Sequence, residues 1–349
     1  MTDVTWAEEG AGRVTAAARR LAARKGAGSP RRAPSGAAPA SRPSAGSAAG
    51  RRPPGTVADL LGLYRAVLDA SGRPGYLQAM TTQQEKAERF LELHRPGDPL
   101  LLPNPWDQGS AKLLAAMGFQ ALATTSSGFA ATLGRLDGSV SRDEALGHAA
   151  AIVAATELPV SADLENGFAD DPDGVARTIG LAADTGLAGC SVEDFTGDDD
   201  RPIYDIALAA ERVAAAVAAA HAGPARLVLT ARAENYLYGR EDLADTITRL
   251  QAYQAAGADV LYAPGLTSLA DIRQVVTAVD RPVNVLAMRG VPPVSELAEA
   301  GVSRVSVGGA LAFAALGALA DAAAELRDKG TYGYLASSAA GRQAIQRAV

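Results

Sequence analysis

Leu158-Pro159-Val160-Ser161-Ala162-Asp163-Leu164-Glu165-Asn166-Gly167 joins a short apolar run to two carboxylates and a glycine. The apolar part reads as a buried strand. Two acids two residues apart, just past a strand and before a glycine, could hold a hard cation in a loop. The pattern recurs. Val192-Glu193-Asp194 ends the next strand-like run, and Ala231-Arg232-Ala233-Glu234 ends the one after. Acidic and basic groups at the carboxyl ends of successive strands are how a (β/α)₈ barrel assembles an active site.

Outward from this stretch, the chain alternates short apolar runs with Ala- and Leu-rich segments of helical period. Strands are expected at 100–103, 121–124, 158–162, 188–192, 226–230, 259–262, 282–286 and 303–307. Helices are expected at 108–117, 141–156, 172–185, 205–221, 241–256, 268–278, 293–300 and 309–327. A further helix-like segment, 334–347, follows the eighth unit. Ser141-Arg142-Asp143-Glu144 is a capping box. Asp171-Pro172 places proline in a first helical turn. The fold class is therefore α/β, a (β/α)₈ TIM-type barrel with an extra C-terminal helix. A doubly wound sheet predicts a Gly-rich turn after strand one. Pro103-Asn104-Pro105-Trp106-Asp107 stands there instead.

Charge divides the chain in two. Residues 1–55 carry ten Lys/Arg against three Asp/Glu, while the remainder carries 23 against 36. Residues 26–56 are mostly Gly, Ala, Ser, Pro and Arg, and lack apolar side chains to offset their ordering entropy. Residues 1–79 thus read as a largely disordered basic extension, with short helices at 11–25 and 57–71, and residues 80–349 as the catalytic barrel. Arg-rich leaders can also be transit peptides or nucleic-acid arms; a solvated tail is the favoured reading. Met80 is an alternative translation start, because a clean amphipathic helix begins after it. The acidic body argues against nucleic-acid binding. No apolar stretch approaches a membrane span. The single cysteine, Cys190, excludes an intrachain disulfide and reads as a buried core thiol. A cytoplasmic location is expected.

The candidate chemistry lies at the strand ends. Positions two apart in an extended chain point the same way, so Asp163 and Glu165 can approach one cation. Mg²⁺ suits few protein oxygens and several waters, and Mn²⁺ is an acceptable substitute. Glu193 and Asp137 are the further acids. Arg232 suits bidentate recognition of a carboxylate or phosphate, or a buried ion-pair network. Ser127-Gly128 could present donors to an anion, or be an ordinary turn. Asn284 lies near the end of strand seven. Asp198-Asp199-Asp200 reads as a solvated loop tip, and the three histidines lie away from the expected mouth. No zinc spacing, Gly-x-Ser-x-Gly or P-loop is present.

Taken in order, Asn104-Pro105-Trp106-Asp107, Ser127-Gly128, Asp163-x-Glu165-x-Gly167-Phe168, Val192-Glu193-Asp194, Ala231-Arg232-Ala233-Glu234, Ala256-Gly257-Ala258-Asp259 and Pro282-Val283-Asn284-Val285 resemble the isocitrate lyase/phosphoenolpyruvate mutase superfamily, over residues 83–330. The nearest resemblance is to a methylisocitrate lyase-like branch. It implies a Mg²⁺-dependent enzyme acting on small 2-oxo carboxylates or their precursors through an enolate stabilised at the metal. It also implies a homotetramer that exchanges its last barrel helices. Carried over by position, Asp163 is the direct metal ligand, and Asp137, Glu165 and Glu193 hold its waters. Arg232 and Ser127-Gly128 grip the substrate, with Asn284 beside them. Arg232, Glu193 and Glu234 are the candidate catalytic groups.

The chain also departs from the pattern. The lyases carry a Cys- and His-containing loop after strand four, where this chain reads Phe195 to Tyr204 with neither. The Lys and Asn of the mutase loop are missing as well. A Glu, Glu165, stands where the second Asp is usual. The expected activity is a carbon–carbon lyase, with the proton donor open among Tyr204, Tyr236 and Tyr262. A phosphonomutase or C–P hydrolase is the alternative, and a catalytically silent carboxylate-binding protein a further one.

Overall fold

The computed structural model describes residues 81–349. The expectations for residues 1–79, and for Met80 as a start, fall outside the described residues. Helix α1 (Gln83–Glu92) opens with a capping box in which Thr82 and Glu85 satisfy each other's backbone N–H groups. Eight parallel strands follow: β1 (Leu100–Leu102), β2 (Leu122–Ala123), β3 (Val160–Asp163), β4 (Gly189–Glu193), β5 (Val228–Arg232), β6 (Val260–Tyr262), β7 (Val283–Leu286) and β8 (Arg304–Ser306). Their order around the sheet is β1-β8-β7-β6-β5-β4-β3-β2. The seam between β1 and β2 is bridged by Ala123 N donating to Pro103 O (3.1 Å) and by Asn104 Nδ2 donating to Thr124 O (2.9 Å). The expected barrel is what forms.

The helices between the strands are α2 (Gln108–Ala116), α3 (Ser126–Thr132), α4 (Arg142–Ala154), α5 (Pro172–Ala183), α6 (Ile206–Ala222), α7 (Leu243–Ala255), α8 (Leu269–Ala278) and α9 (Val294–Glu299). Two more, α10 (Ala310–Lys329) and α11 (Leu335–Ala348), end the chain. The cap at Ser141 and the Asp171-Pro172 start both form as the sequence implies. One helix was not expected. The Ser-Ser-Gly segment, readable as a turn, is the first turn of α3, with Thr125 as its N-cap. Seven residues are too few to show helical period in sequence.

Two apolar layers hold the barrel. The strands' outward side chains, such as Leu229 and Val305, pack against helix side chains such as Ile179 of α5. The inward ones, including Leu100, Val228 and Val260, meet Phe90 of α1, which plugs the amino-terminal end of the barrel. Gly189 permits this plug, since a Cβ there would lie 2.9 Å from the Phe90 ring. Cys190 is buried, and burial pushes its thiol up to about 12, as an inert core thiol requires. Among the described residues no helix is long and apolar enough to cross a membrane.

His94, just past α1, is buried beneath the barrel interior. Its Nδ1–H donates to Phe90 O (2.7 Å), which leaves Nε2 to accept from Arg304 Nη1 (3.1 Å). Burial first, and the Arg304 charge second, push its pKa down to about 3. An unfolded histidine takes up its proton near pH 6.5, so the folded state is the poorer proton binder between those values. Stability present above about pH 6.5 is therefore lost as pH falls toward 3, at up to roughly 1.4 kcal/mol per unit. Urea unfolding at pH 7 and pH 5 should show a loss larger by about 2 kcal/mol in the parent protein than in His94→Gln. An equal loss in both proteins would remove His94 from the account.

Candidate functional site

The carboxyl ends of the strands surround a cavity of 210 Å³. Asp163, Asp137, Ser127, Arg232 and Asn284 all line it, from four different strand–helix units. Arg232 sits at the centre of the charge. Its Nη1 lies 3.0 Å from Asp163 Oδ1, its Nη2 3.2 Å from Glu193 Oε2, and its Nε 2.8 Å from Glu234 Oε1. Each partner comes from a strand end or the residue two beyond one. Burial works against the Arg232 charge, but Glu234, Glu193 and Asp163 together hold its pKa well above the ordinary value. The same burial pushes the carboxyls of Glu193 and Glu234 upward, against the pull of Arg232.

Among the described residues, two of the site's acids have no ion pair of their own. Glu165 is pushed up to about 8 by burial, then by Asp163 and Asp137. Asp137 is raised too, by burial of its carboxyl and by Asp163, although the residue as a whole is exposed at the rim. The approach of Glu165 to Asp163 is not the strand alternation expected from the sequence. β3 ends at Asp163, and Glu165 adopts a left-handed backbone at φ 48°. Its N–H then turns back toward Asp163 Oδ1 at 3.4 Å. Non-glycine residues at positive φ are uncommon and cluster where function requires the strain.

This donor set suits a divalent cation. Five carboxyls crowd one guanidinium, and the surplus is negative. Among the described residues no group of three or more His, Cys, Asp or Glu is placed to hold a metal ion by its side chains alone. The arrangement fits an ion held by one or two protein oxygens with water completing its shell, as Mg²⁺ prefers.

The α3 end contributes differently from expectation. Ser126 N–H donates to Asp163 Oδ2 (3.1 Å), and Ser126 and Ser127 line the cavity. Gly128 does not line it, because its N–H caps onto Thr125 Oγ1 (3.3 Å). Its role is close packing, since a Cβ there would lie 2.6 Å from Thr125 Cγ2 and 3.2 Å from Ala312 Cβ. Of the three tyrosines, only Tyr262 lines the cavity, with the Arg232 guanidinium 5.0 Å from its ring. Burial pushes its phenol up to about 12. Tyr204 is turned away, donating to Asp170 Oδ1 (2.6 Å) and stacking on Arg212.

Several residues carry weight although the sequence reading gave them no role. Asp194, beside Glu193, faces away from the mouth. It accepts from Glu234 N (2.8 Å), Arg249 Nη1 (3.1 Å) and Tyr253 Oη. Arg212, fully buried on α6, donates to the carbonyls of Asn166, Ala169 and Asp170 and so braces the loop that carries Glu165. Asn104 Oδ1 receives the N–H groups of Val307 and Gly308, both at 3.0 Å. Arg304 lines the cavity from β8. A cation inside the apolar run Val302-Ser303-Arg304-Val305-Ser306 was the available signal for it.

A (β/α)₈ barrel with an acidic mouth gathered around one arginine defines an enzyme-like class of site. Comparison with known proteins then gives the family. Residues 90–327 match the phosphoenolpyruvate phosphomutase family, and the chain belongs to it, within the phosphoenolpyruvate mutase/isocitrate lyase superfamily. A solved structure from Burkholderia cenocepacia J2315, provisionally described as a lyase/mutase, is 55% identical, with a TM-score of 0.73 over 76% of this chain and 95% of that one. An uncharacterized protein of Mycobacterium tuberculosis (strain ATCC 25618 / H37Rv) is 35% identical over 240 residues, covering 68% of this chain and 89% of its own length. The 2-methylisocitrate lyase of Escherichia coli (strain K12) is more distant, 31% identical over 211 residues, 55% of this chain and 70% of that protein. The superfamily is supported, whereas the narrower methylisocitrate lyase-like placement is not.

Proposed function

We propose that this chain is a Mg²⁺-dependent lyase that cleaves a C–C bond next to an α-oxo or α-hydroxy carboxylate. The observation that carries this reading is the convergence of Asp163, Arg232 and the start of α3 on one 210 Å³ cavity. Asp163 would hold the cation, with Glu165, Glu193 and Asp137 accepting from its waters. When bound, Mg²⁺ supplies positive charge at the oxygen where an enolate develops. The protein's own groups do the rest. Ser127 and Asn284 orient the substrate's oxygens, and Arg232 keeps the mouth from carrying its full negative charge. Glu193 and Glu234 fix the Arg232 fork from both sides, so it needs no reorganisation as charge moves. Tyr262, the candidate tyrosine that lines the cavity, would return a proton to the cleaved carbon. The distant lyase relative is consistent with this chemistry, while the loop Phe195–Tyr204, without Cys or His, speaks against methylisocitrate itself.

The family match favours one second reading, a phosphonomutase or C–P hydrolase on the same scaffold. A panel of oxaloacetate, substituted malates, methylisocitrate and phosphonopyruvate, assayed for Mg²⁺-dependent release of a 2-oxo acid, separates the two. Turnover of a malate or oxaloacetate supports the lyase, and turnover of phosphonopyruvate alone replaces it with the alternative. Binding without turnover across the panel would make the chain a carboxylate-binding protein. A cytoplasmic location accords with this chemistry.

The same reading includes a homotetramer. Helix α10 buries only Ala312 and leaves Leu311, Phe313, Leu316, Leu319 and Leu326 exposed. An apolar face of that length calls for a partner. Light scattering should give four times the chain mass for the parent protein and a smaller species for Leu319→Glu. A monomeric parent would contradict the assembly.

A further inference from the structure

Two cations line the cavity, and they differ in one respect. Arg232 is matched by three carboxylates. Arg304, buried to 4% exposure, is matched by none among the described residues. Its Nε donates to Asn284 Oδ1 (2.9 Å), its Nη1 to His94 Nε2 (3.1 Å) and its Nη2 to Thr230 Oγ1 (3.2 Å). All three partners are neutral. Three of the five N–H donors of a guanidinium are thereby used, and one on each Nη remains. Asn284 is a neutral amide, whose Nδ2 donates to Ser306 Oγ (2.9 Å), so it supplies no counter-charge.

A buried charge is costly unless it is paired. The body of this chain is rich in acids, yet among the described residues none pairs with Arg304. Of the titratable groups that bear on it, the Tyr262 phenol, pushed up to about 12, is neutral near pH 7, and Arg232 is another cation. The imbalance within one cavity is therefore directional. The rim at Asp163 and Asp137, with Glu165 behind them, is short of positive charge, and the floor at Arg304 is short of negative charge. Arg304 stands two residues before Ser306 on the same inward face of β8, roughly 7 Å deeper in the barrel. A cavity of 210 Å³ can take a small organic acid, and it extends to this side chain.

We propose that Arg304 is a specificity-determining anion anchor that receives a second carboxylate of the substrate, so the site selects dicarboxylates over monocarboxylates. This rests on the cavity being the substrate site, as proposed above, and adds the charge its occupant carries at the inner end. Asn284 and Thr230 fix the guanidinium, and His94 supports it from below as a neutral acceptor. The substrate's outer end remains at the rim acids and the start of α3.

The test uses the full chain with Mg²⁺ and unreactive probes: malonate and succinate against acetate and propionate, by titration calorimetry. The parent protein should bind at least one dicarboxylate more tightly than either monocarboxylate. Arg304→Gln should weaken that dicarboxylate by roughly 30-fold or more and leave the monocarboxylates unchanged, as expected for truncating one partner of a buried ion pair. Asp163→Ala, tested in parallel, reports on the metal reading alone. Loss of binding there with an unchanged Arg304→Gln would reject the anchor and keep the metal site. The reverse pattern would keep the anchor and reject the metal site. Parent protein without a dicarboxylate preference overturns the anchor outright. Should Arg304→Gln not fold, a crystal structure of the parent protein with malonate decides. A malonate carboxylate within hydrogen-bond distance of an Arg304 Nη supports the anchor, and malonate bound elsewhere, or binding at crystal concentration only, refutes it.

Discussion

Replacing Asp163 with alanine lowers Mg²⁺-dependent turnover by roughly 10³-fold while leaving the melting temperature unchanged or slightly raised. Two arguments combine. A cation stabilising a developing oxyanion contributes several kcal/mol to the transition state, and each 1.4 kcal/mol is tenfold in rate. Asp163 is also the acid to which the others are tied: it meets Arg232, receives Ser126 N–H and presses the Glu165 carboxyl upward. Removing it relieves like-charge repulsion in a crowded mouth, so stability does not fall with activity, as is common where function and stability compete. The measurement is initial rate against Mg²⁺ concentration for parent and variant, with thermal melts of both. Full metal-dependent turnover in Asp163→Ala would remove Asp163 from the site.

The second large effect is structural and lies one residue from the site. Asp194→Ala should destabilise the fold by about 3–5 kcal/mol, the cost of breaking a buried ion pair from one side. Its carboxylate receives Arg249, Tyr253 and the N–H of Glu234, and all three are buried. Burial alone raises its pKa, so the bonds that oppose this are what keep it useful as an acceptor. Denaturant midpoints measure the loss, and a change under 1 kcal/mol would show that the network tolerates an empty position. Activity should fall as well, because Asp194 fixes the backbone of Glu234, whose side chain aligns Arg232. Asp194→Asn keeps the shape and should recover part of the stability.

The contrast between neighbouring Glu193 and Asp194 shows where sequence reading reaches its limit. Both are acids at the end of β4, yet one faces the mouth and the other a buried Arg–Tyr pair. Alternation within a strand puts adjacent side chains on opposite sides but does not say which side is the site. Asp163 and Glu165 carry the same lesson. Their spacing marked them correctly as neighbours, but a left-handed turn brings them together, and backbone handedness at a non-glycine residue has no local sequence signature.

By itself the sequence determined the period of the chain: eight apolar runs, the helices between them, their caps, and the placing of acids and one arginine at strand ends. Those are local properties, set by side-chain spacing and by which residues can close a turn. Tertiary structure alone decided the charge balance of the cavity. That balance depends on distances between residues far apart in the chain, such as Asp163 and Arg232, or His94 and Arg304. Coulomb energy and desolvation follow from those distances and from burial, and neither is written in the order of the residues.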